Sequence, residues 1–174
     1  MTRAFVFPGQ GSQAVGMGKE LADAFAAARY VFEEVDETLK QNLTTVMFEG
    51  PDDDLRLTEN AQPALMAVSV AIVRVMQEEG NITLPDVASY VAGHSLGEYA
   101  ALAGAGALSL ADTARLLRLR GATMQKAVPV GEGAILVLTC SVIWVLNPAI
   151  HTRFPSQGRT NSRDRLLANS FRWV

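Results

Sequence analysis

Residues 91–100 read VAGHSLGEYA, and this stretch carries most of the information about the fold. It contains Gly93-His94-Ser95-Leu96-Gly97, the G-x-S-x-G spacing that places a serine on a sharp turn between a strand and a helix. A second glycine-flanked loop, FVFPGQGSQ at residues 5–13, also follows a strand-like run. Together the two loops predict a serine nucleophile with a place beside it to stabilise an oxyanion, which is the chemistry of acyl transfer.

Strand-like and helix-like segments alternate along the chain, which predicts an α/β fold with a largely parallel sheet. The segment 60–77 has Arg74 as its only charged residue, and this composition predicts a helix packed deep inside the protein. Ser109 and Asp112 have the spacing of a capping box and predict the start of a helix that runs to about residue 127. The remaining predictions are strands at 3–7 and 85–92, helices at 15–25, 26–40 and 96–106, and a surface turn at 49–54.

Composition excludes several classes of protein. Hydrophobic residues make up 49% of the 174 residues, as in globular domains, and no apolar run reaches the roughly 20 residues that a membrane-spanning helix needs. With one cysteine and two histidines the chain has few ligands for a structural metal site, so we expect no metal. The single cysteine also agrees with a reducing cytoplasm. The net charge is −3 although the last 39 residues carry +4, and such an acidic body argues against nucleic-acid binding.

The composition and the hydrophobic periodicity of the sequence change after about Ile135. Residues 147–174 show weak periodicity and are rich in Arg, Ser and Asn. We therefore predict an incomplete domain at 1–135 and a divergent tail at 136–174. Two interpretations of the tail stay open: an ordinary C-terminal extension, or a non-native continuation such as a frameshift would produce.

Four separated stretches resemble malonyl-CoA:acyl-carrier-protein transacylases, in the same order along the chain. They are FVFPGQGSQ (5–13), ENAQPAL (59–65), AGHSLGEYAAL (92–102) and RGATMQKAVPVGEGA (120–134). The resemblance implies an α/β-hydrolase-like acyltransferase fold whose C-terminal part and ferredoxin-like subdomain are missing from this chain. It also implies a cytoplasmic transferase of fatty-acid or polyketide synthesis, with malonyl-CoA and phosphopantetheinylated acyl carrier protein as substrates. Neither a bound cofactor nor a membrane is implied.

The resemblance assigns the reaction centre to the two loops. Ser95 corresponds to the catalytic nucleophile that takes the malonyl group as an ester. The backbone N–H groups of Gln10 and Leu96 correspond to the oxyanion hole. Glycines beside both loops suit this role, because two backbones must approach one oxygen.

The resemblance assigns substrate binding to Arg120, Gln62 and His94. A planar guanidinium at Arg120 matches the free carboxylate of a malonyl group, whereas an acetyl group offers it no partner. Taken without the resemblance, Arg120 could equally belong to a solvated helix face with Arg115 and Arg118. For Gln62, structural hydrogen bonding is an equal alternative.

No general base is identifiable in the sequence. Neighbouring residues on a tight turn diverge, so His94 is poorly placed to accept the Ser95 proton, and the surroundings of His151 do not resemble the family's catalytic-histidine segment. We therefore expect severely reduced activity from this chain. The alternatives are an inactive product or acyl-carrier-protein-binding remnant, and a serine esterase or thioesterase that uses Ser95, Asp112 and His151.

Overall fold

A short pair of parallel strands, enclosed by helices, organises residues 3–127, the part of the chain that this computed structural model describes. The predicted boundary at residue 135 and the tail at 136–174 lie outside the described residues. The elements are, in chain order, β1 (Ala4–Phe7), α1 (Lys19–Ala24), α2 (Ala26–Leu39), α3 (Leu43–Glu49), α4 (Asp52–Arg56), α5 (Thr58–Gly80), α6 (Leu84–Val87), β2 (Tyr90–Gly93), α7 (Leu96–Gly104) and α8 (Leu110–Ala127).

The pairing of β1 with β2 brings two distant loops together. The strands run parallel, with Ala4 opposite Tyr90 and Phe7 opposite Gly93, and helices α1–α6 form the crossover between them. Because both strands end at the same edge, the loop after Phe7 and the turn after Gly93 are neighbours. The predicted α/β class with parallel strands is confirmed.

Helix α5 is the centre of the core, as its sequence predicts. Ala61, Ala64 and Met66 are fully buried, and burial continues as far as Val73. Ile72 is 47% exposed although Ala71 and Val73 beside it are buried, so one face of this part of the helix lies toward solvent. No helix within residues 3–127 combines the length and apolar composition needed to cross a membrane.

The strand predicted at 85–92 is wrong in its first half. Residues 84–87 form the helical turn α6, and the strand begins only at Tyr90. Pro85 lies in the first turn, where its fixed φ favours a helix and its missing N–H costs nothing. The Thr83 hydroxyl donates to the Asp86 carboxylate across this turn.

Two other predictions need new boundaries. The helix predicted at 15–25 begins only at Lys19, because Gly16 and Gly18 both have positive φ angles, 93° and 82°. The exposed turn predicted at 49–54 passes into helix α4 at Asp52. Three acidic residues occupy the first turn of α4, where the helix dipole favours negative charge.

The Asp36 carboxylate joins α2 to α3. The backbone N–H of Thr44, in the first turn of α3, donates to Asp36 Oδ1 at 3.0 Å. Burial raises the pKa of the Asp36 carboxyl, and the hydrogen bonds from Thr44 oppose that rise. The side chain therefore serves as a cap supplied by the preceding helix.

The Ser109 half of the predicted capping box is present at the start of α8. The backbone N–H of Asp112 donates to Ser109 Oγ at 3.0 Å, and the Ser109 hydroxyl donates to Asp112 Oδ2 at 2.7 Å. The first contact gives a partner to a backbone N–H that has none within the helix, and the second joins the two side chains.

Replacement of Ser109 by alanine is expected to lower the free energy of unfolding by about 1 kcal/mol, because the cap of α8 is lost. Urea denaturation followed by circular dichroism measures this change. Ser109→Thr keeps the hydroxyl and is the matched control. An alanine variant as stable as the threonine variant would contradict the expected role of the cap.

Candidate active site

Ser95 lies on the sharp turn that its sequence predicts. Strand β2 ends at Gly93 and helix α7 begins at Leu96, so Ser95 stands between them with φ 56° and ψ −112°. A positive φ in a residue other than glycine costs on the order of 1–3 kcal/mol and persists only where the surroundings enforce it. The turn leaves the Ser95 side chain half-buried rather than covered.

The two glycines of the motif are required by contact between backbones. A Cβ added at Gly93 would lie 2.0 Å from the carbonyl carbon of Gly97. A Cβ added at Gly97 would lie 2.4 Å from the carbonyl oxygen of Phe7. The start of α7 can therefore pack against the end of β2 only if Gly93 lacks a side chain, and against the end of β1 only if Gly97 does.

Arg120 joins Ser95 to Gln62. Its Nη2 donates to Ser95 Oγ at 2.9 Å, and its Nη1 donates to Gln62 Oε1 at 2.7 Å. Its Cζ also lies 5.9 Å from the centroid of the Tyr99 ring, at cation–π distance. Three predicted site residues, from α5, α8 and the turn before α7, thus form one hydrogen-bonded set.

Gln62 orients the guanidinium from inside the core. Its side chain is fully buried, and its Nε2 donates to Met124 Sδ at 3.3 Å. Since thioether sulfur is a weak acceptor, the bond from Arg120 to Oε1 is the stronger of the two contacts. The structural role that the sequence left open for Gln62 is therefore present and serves Arg120.

The first loop lies directly beside the serine turn. A Cβ added at Gly9 would lie 2.5 Å from His94 Nδ1. The Gln10 side chain donates from Nε2 to Thr58 Oγ1 at 3.2 Å, which ties the loop to the start of α5. Leu96 is the first residue of α7, where a backbone N–H has no partner within the helix. The predicted oxyanion-hole residues therefore belong to adjacent backbone segments.

His94 packs against Gly9 and is half-buried, and the substrate-binding role expected for it stays a prediction. Within residues 3–127 it is the only histidine, and no hydrogen bond joins it to Ser95 among the described contacts. His151 lies outside the described residues. Residues 3–127 also contain no cluster of three or more His, Cys, Asp or Glu side chains that could hold a metal ion.

The esterase alternative is not favoured by the position of Asp112. Its carboxylate accepts from the Ser109 hydroxyl and pairs with Arg115 at 3.2 Å, on the exposed start of α8. A triad aspartate must instead hold a histidine near the nucleophile. Asp112 is engaged in capping a helix.

Sequence reasoning missed Tyr99, Thr58 and Arg118. Tyr99 follows Ser95 by four residues, a spacing that puts both near one face of α7 and could have signalled the contact with Arg120. No local signal points to Thr58 or Arg118, since each acts across an interface between distant segments.

Residues 4–151 match the model of the acyl transferase domain family. The chain belongs to this family. Among curated relatives, the malonyl CoA-acyl carrier protein transacylase of Bacillus subtilis strain 168 is 53% identical over 135 residues, which are 78% of this chain and 41% of the relative. The enzyme of the same name from Escherichia coli K12 is 44% identical over 135 residues, covering 78% and 42% of the two chains.

Solved structures show the same likeness in three dimensions. The acyl-carrier-protein-S-malonyltransferase from Bartonella henselae superposes with a TM-score of 0.73 at 61% identity, covering 75% of this chain and 41% of that one. A malonyl-transacylase in complex with a type II PKS acyl-carrier protein gives a TM-score of 0.69 at 46% identity, covering 74% and 40%. The chain thus spans about two fifths of the length of these relatives.

Proposed function

We propose that this chain carries the malonyl-loading half of a malonyl-CoA:acyl-carrier-protein transacylase, with Ser95 as the nucleophile. The observation that carries the proposal is the contact of Arg120 with both Ser95 Oγ and Gln62 Oε1. A cation held beside a serine hydroxyl can bind the free carboxylate of a malonyl group a few bonds from the acylated oxygen.

The reaction has two balanced halves. Ser95 Oγ attacks the thioester carbonyl of malonyl-CoA, the serine proton is removed, and coenzyme A leaves as its thiol. The phosphopantetheine thiol of acyl carrier protein then attacks the ester, and Ser95 recovers its hydroxyl. The backbone N–H groups of Gln10 and Leu96 stabilise the oxyanion in both halves. No general base is identified among residues 3–127, and His151, which the sequence does not favour as the base, lies outside the described residues.

The biological setting is a further part of the proposal. We propose fatty-acid synthesis in the cytoplasm as the pathway, acyl carrier protein as the protein partner, and no bound metal or organic cofactor. The names of the Bacillus and Escherichia relatives support the substrates, and the complex with a carrier protein supports the partner. A carrier protein of polyketide synthesis presents the same thiol, so transfer assays should include both kinds.

Intact-protein mass spectrometry after incubation with malonyl-CoA tests the nucleophile. Because no general base is identified, we expect a malonyl adduct to form slowly and to reach at most one per chain, located on Ser95 by peptide mapping and removed by phosphopantetheinylated acyl carrier protein. Ser95→Ala is expected to abolish the adduct. An adduct that survives this substitution would contradict the proposal. Absence of any adduct, together with Arg120-dependent binding of malonyl-CoA, would favour the non-catalytic alternative.

A further inference from the structure

A proline inside α5 leaves one backbone carbonyl without its helical donor. Pro63 lies six positions into α5, which starts at Thr58, and it has no N–H to donate. In a regular helix that N–H would bond to the carbonyl four residues earlier, here that of Glu59. The affected turn contains Gln62, the residue that orients Arg120.

Arg118 supplies a donor to this carbonyl. Its Nη1 donates to the Glu59 carbonyl oxygen at 3.1 Å and also to Asn60 Oδ1. Asn60 is itself only 6% exposed, and its Nδ2 donates to the Asp54 carbonyl at 2.8 Å. The Gln41 side chain donates to Asn60 Oδ1 at 3.2 Å. Arg118 therefore completes a partly buried network around the first turn of α5.

The backbone of α8 touches α5 at the same place. A Cβ added at Gly121 would lie 2.5 Å from the Thr58 carbonyl oxygen and 2.6 Å from the Cα of Glu59. The contact of Arg118 with Glu59 and that of Arg120 with Gln62 therefore lie side by side across one interface. Any shift of the first turn of α5 along α8 changes the distance between Gln62 and Arg120.

Arg115 shows that this arrangement is particular to Arg118. Arg115 lies on the same helix, but its side chain is 59% exposed, and within residues 3–127 the salt bridge found for it is to Asp112 in the preceding turn. The solvated-face interpretation thus fits Arg115. It does not fit Arg118, whose guanidinium is partly buried against another helix.

We propose that Arg118 is a positioning residue for acyl selection: it replaces the N–H that Pro63 lacks and so fixes Gln62 opposite Arg120. This inference rests on the proposed function of Arg120. It predicts that Arg118 governs the preference for malonyl over acetyl groups without touching either. It also predicts that Pro63→Ala removes the need for Arg118, because alanine restores an N–H aimed at the Glu59 carbonyl.

The experiment compares four forms of the chain: wild type, Arg118→Met, Pro63→Ala and the double variant, with Arg115→Met as the matched control. Mass spectrometry gives the ratio of malonyl to acetyl loading on Ser95. Arg118→Met is expected to lower this ratio about tenfold, since sub-ångström to ångström displacements at a reaction centre have effects of this order or larger. Arg115→Met and Pro63→Ala should keep the wild-type ratio, and the double variant should regain most of it.

An unchanged ratio in Arg118→Met would overturn the proposal, as would a double variant no better than Arg118→Met. If Arg118→Met does not fold, recovery of folding and of the ratio in the double variant supports the proposal, and failure to recover overturns it. Urea denaturation of the four forms separates this inference from the proposed function. If wild type loads no malonyl, the proposed function fails. The unfolding free energies still test the structural part of this inference. Non-additive effects of the Pro63 and Arg118 substitutions would show that Arg118 replaces the missing N–H of Pro63, and additive effects would show that it does not.

Discussion

Replacement of Arg120 by alanine is expected to lower malonyl loading of Ser95 about 10²–10³-fold while leaving acetyl loading within a few-fold of wild type. The guanidinium is the only cation hydrogen-bonded to Ser95 or Gln62 among the described contacts. Without it, the malonyl carboxylate would enter a partly buried site with no opposite charge, and that desolvation opposes binding. Acetyl groups carry no carboxylate and lose nothing.

Parallel single-turnover assays with malonyl-CoA and acetyl-CoA measure the effect. Arg120→Lys is the informative intermediate: it keeps the charge but not the planar fork, so we expect partial malonyl loading. Arg115→Ala is the control, because that side chain is 59% exposed and pairs with Asp112 rather than with a predicted site residue of the transacylase. Equal losses for malonyl and acetyl in Arg120→Ala would show that Arg120 supports the fold or Ser95 rather than the acyl carboxylate.

Gly93→Ala is expected to lower the free energy of unfolding by about 3 kcal/mol or more and to eliminate acylation of Ser95. The added Cβ would lie 2.0 Å from the carbonyl carbon of Gly97 and 2.3 Å from the backbone nitrogen of Glu98. Both are backbone atoms at the start of α7, so no side-chain rotation relieves the clash. The turn that presents Ser95 must open instead.

Urea denaturation and the Ser95 adduct are measured together on this variant. Gly80→Ala is the matched control, since its Cβ would meet only the Ile82 side chain, at 3.4 Å or more, near the exposed end of α5. We expect that control to keep both stability and acylation. A Gly93→Ala chain that unfolds like wild type would contradict the tight packing of α7 on β1 and β2.

Several elements could be predicted from local sequence because their causes are local. The Ser109 cap and the change from strand to helix at Ser95 depend on residues a few positions apart, and the nearly uncharged sequence of α5 predicts its burial. The strand predicted at 85–92 was wrong in its first half. A short apolar run has no strong preference between strand and helix, and Pro85 favours the first turn of a helix there. The family resemblance identified Ser95, Arg120 and Gln62 as site residues, although their roles remain proposals.

By itself the sequence determined the class of fold, the serine turn and the chemical types that meet at the site. Only the tertiary structure decided which groups touch: Arg120 with Ser95 and Gln62, Tyr99 beside the guanidinium, and Arg118 on the carbonyl that Pro63 leaves open. The physical reason is the length of chain between partners. Turns and caps are fixed by neighbouring residues, whereas contacts between residues 21 to 59 positions apart depend on how helices and strands pack.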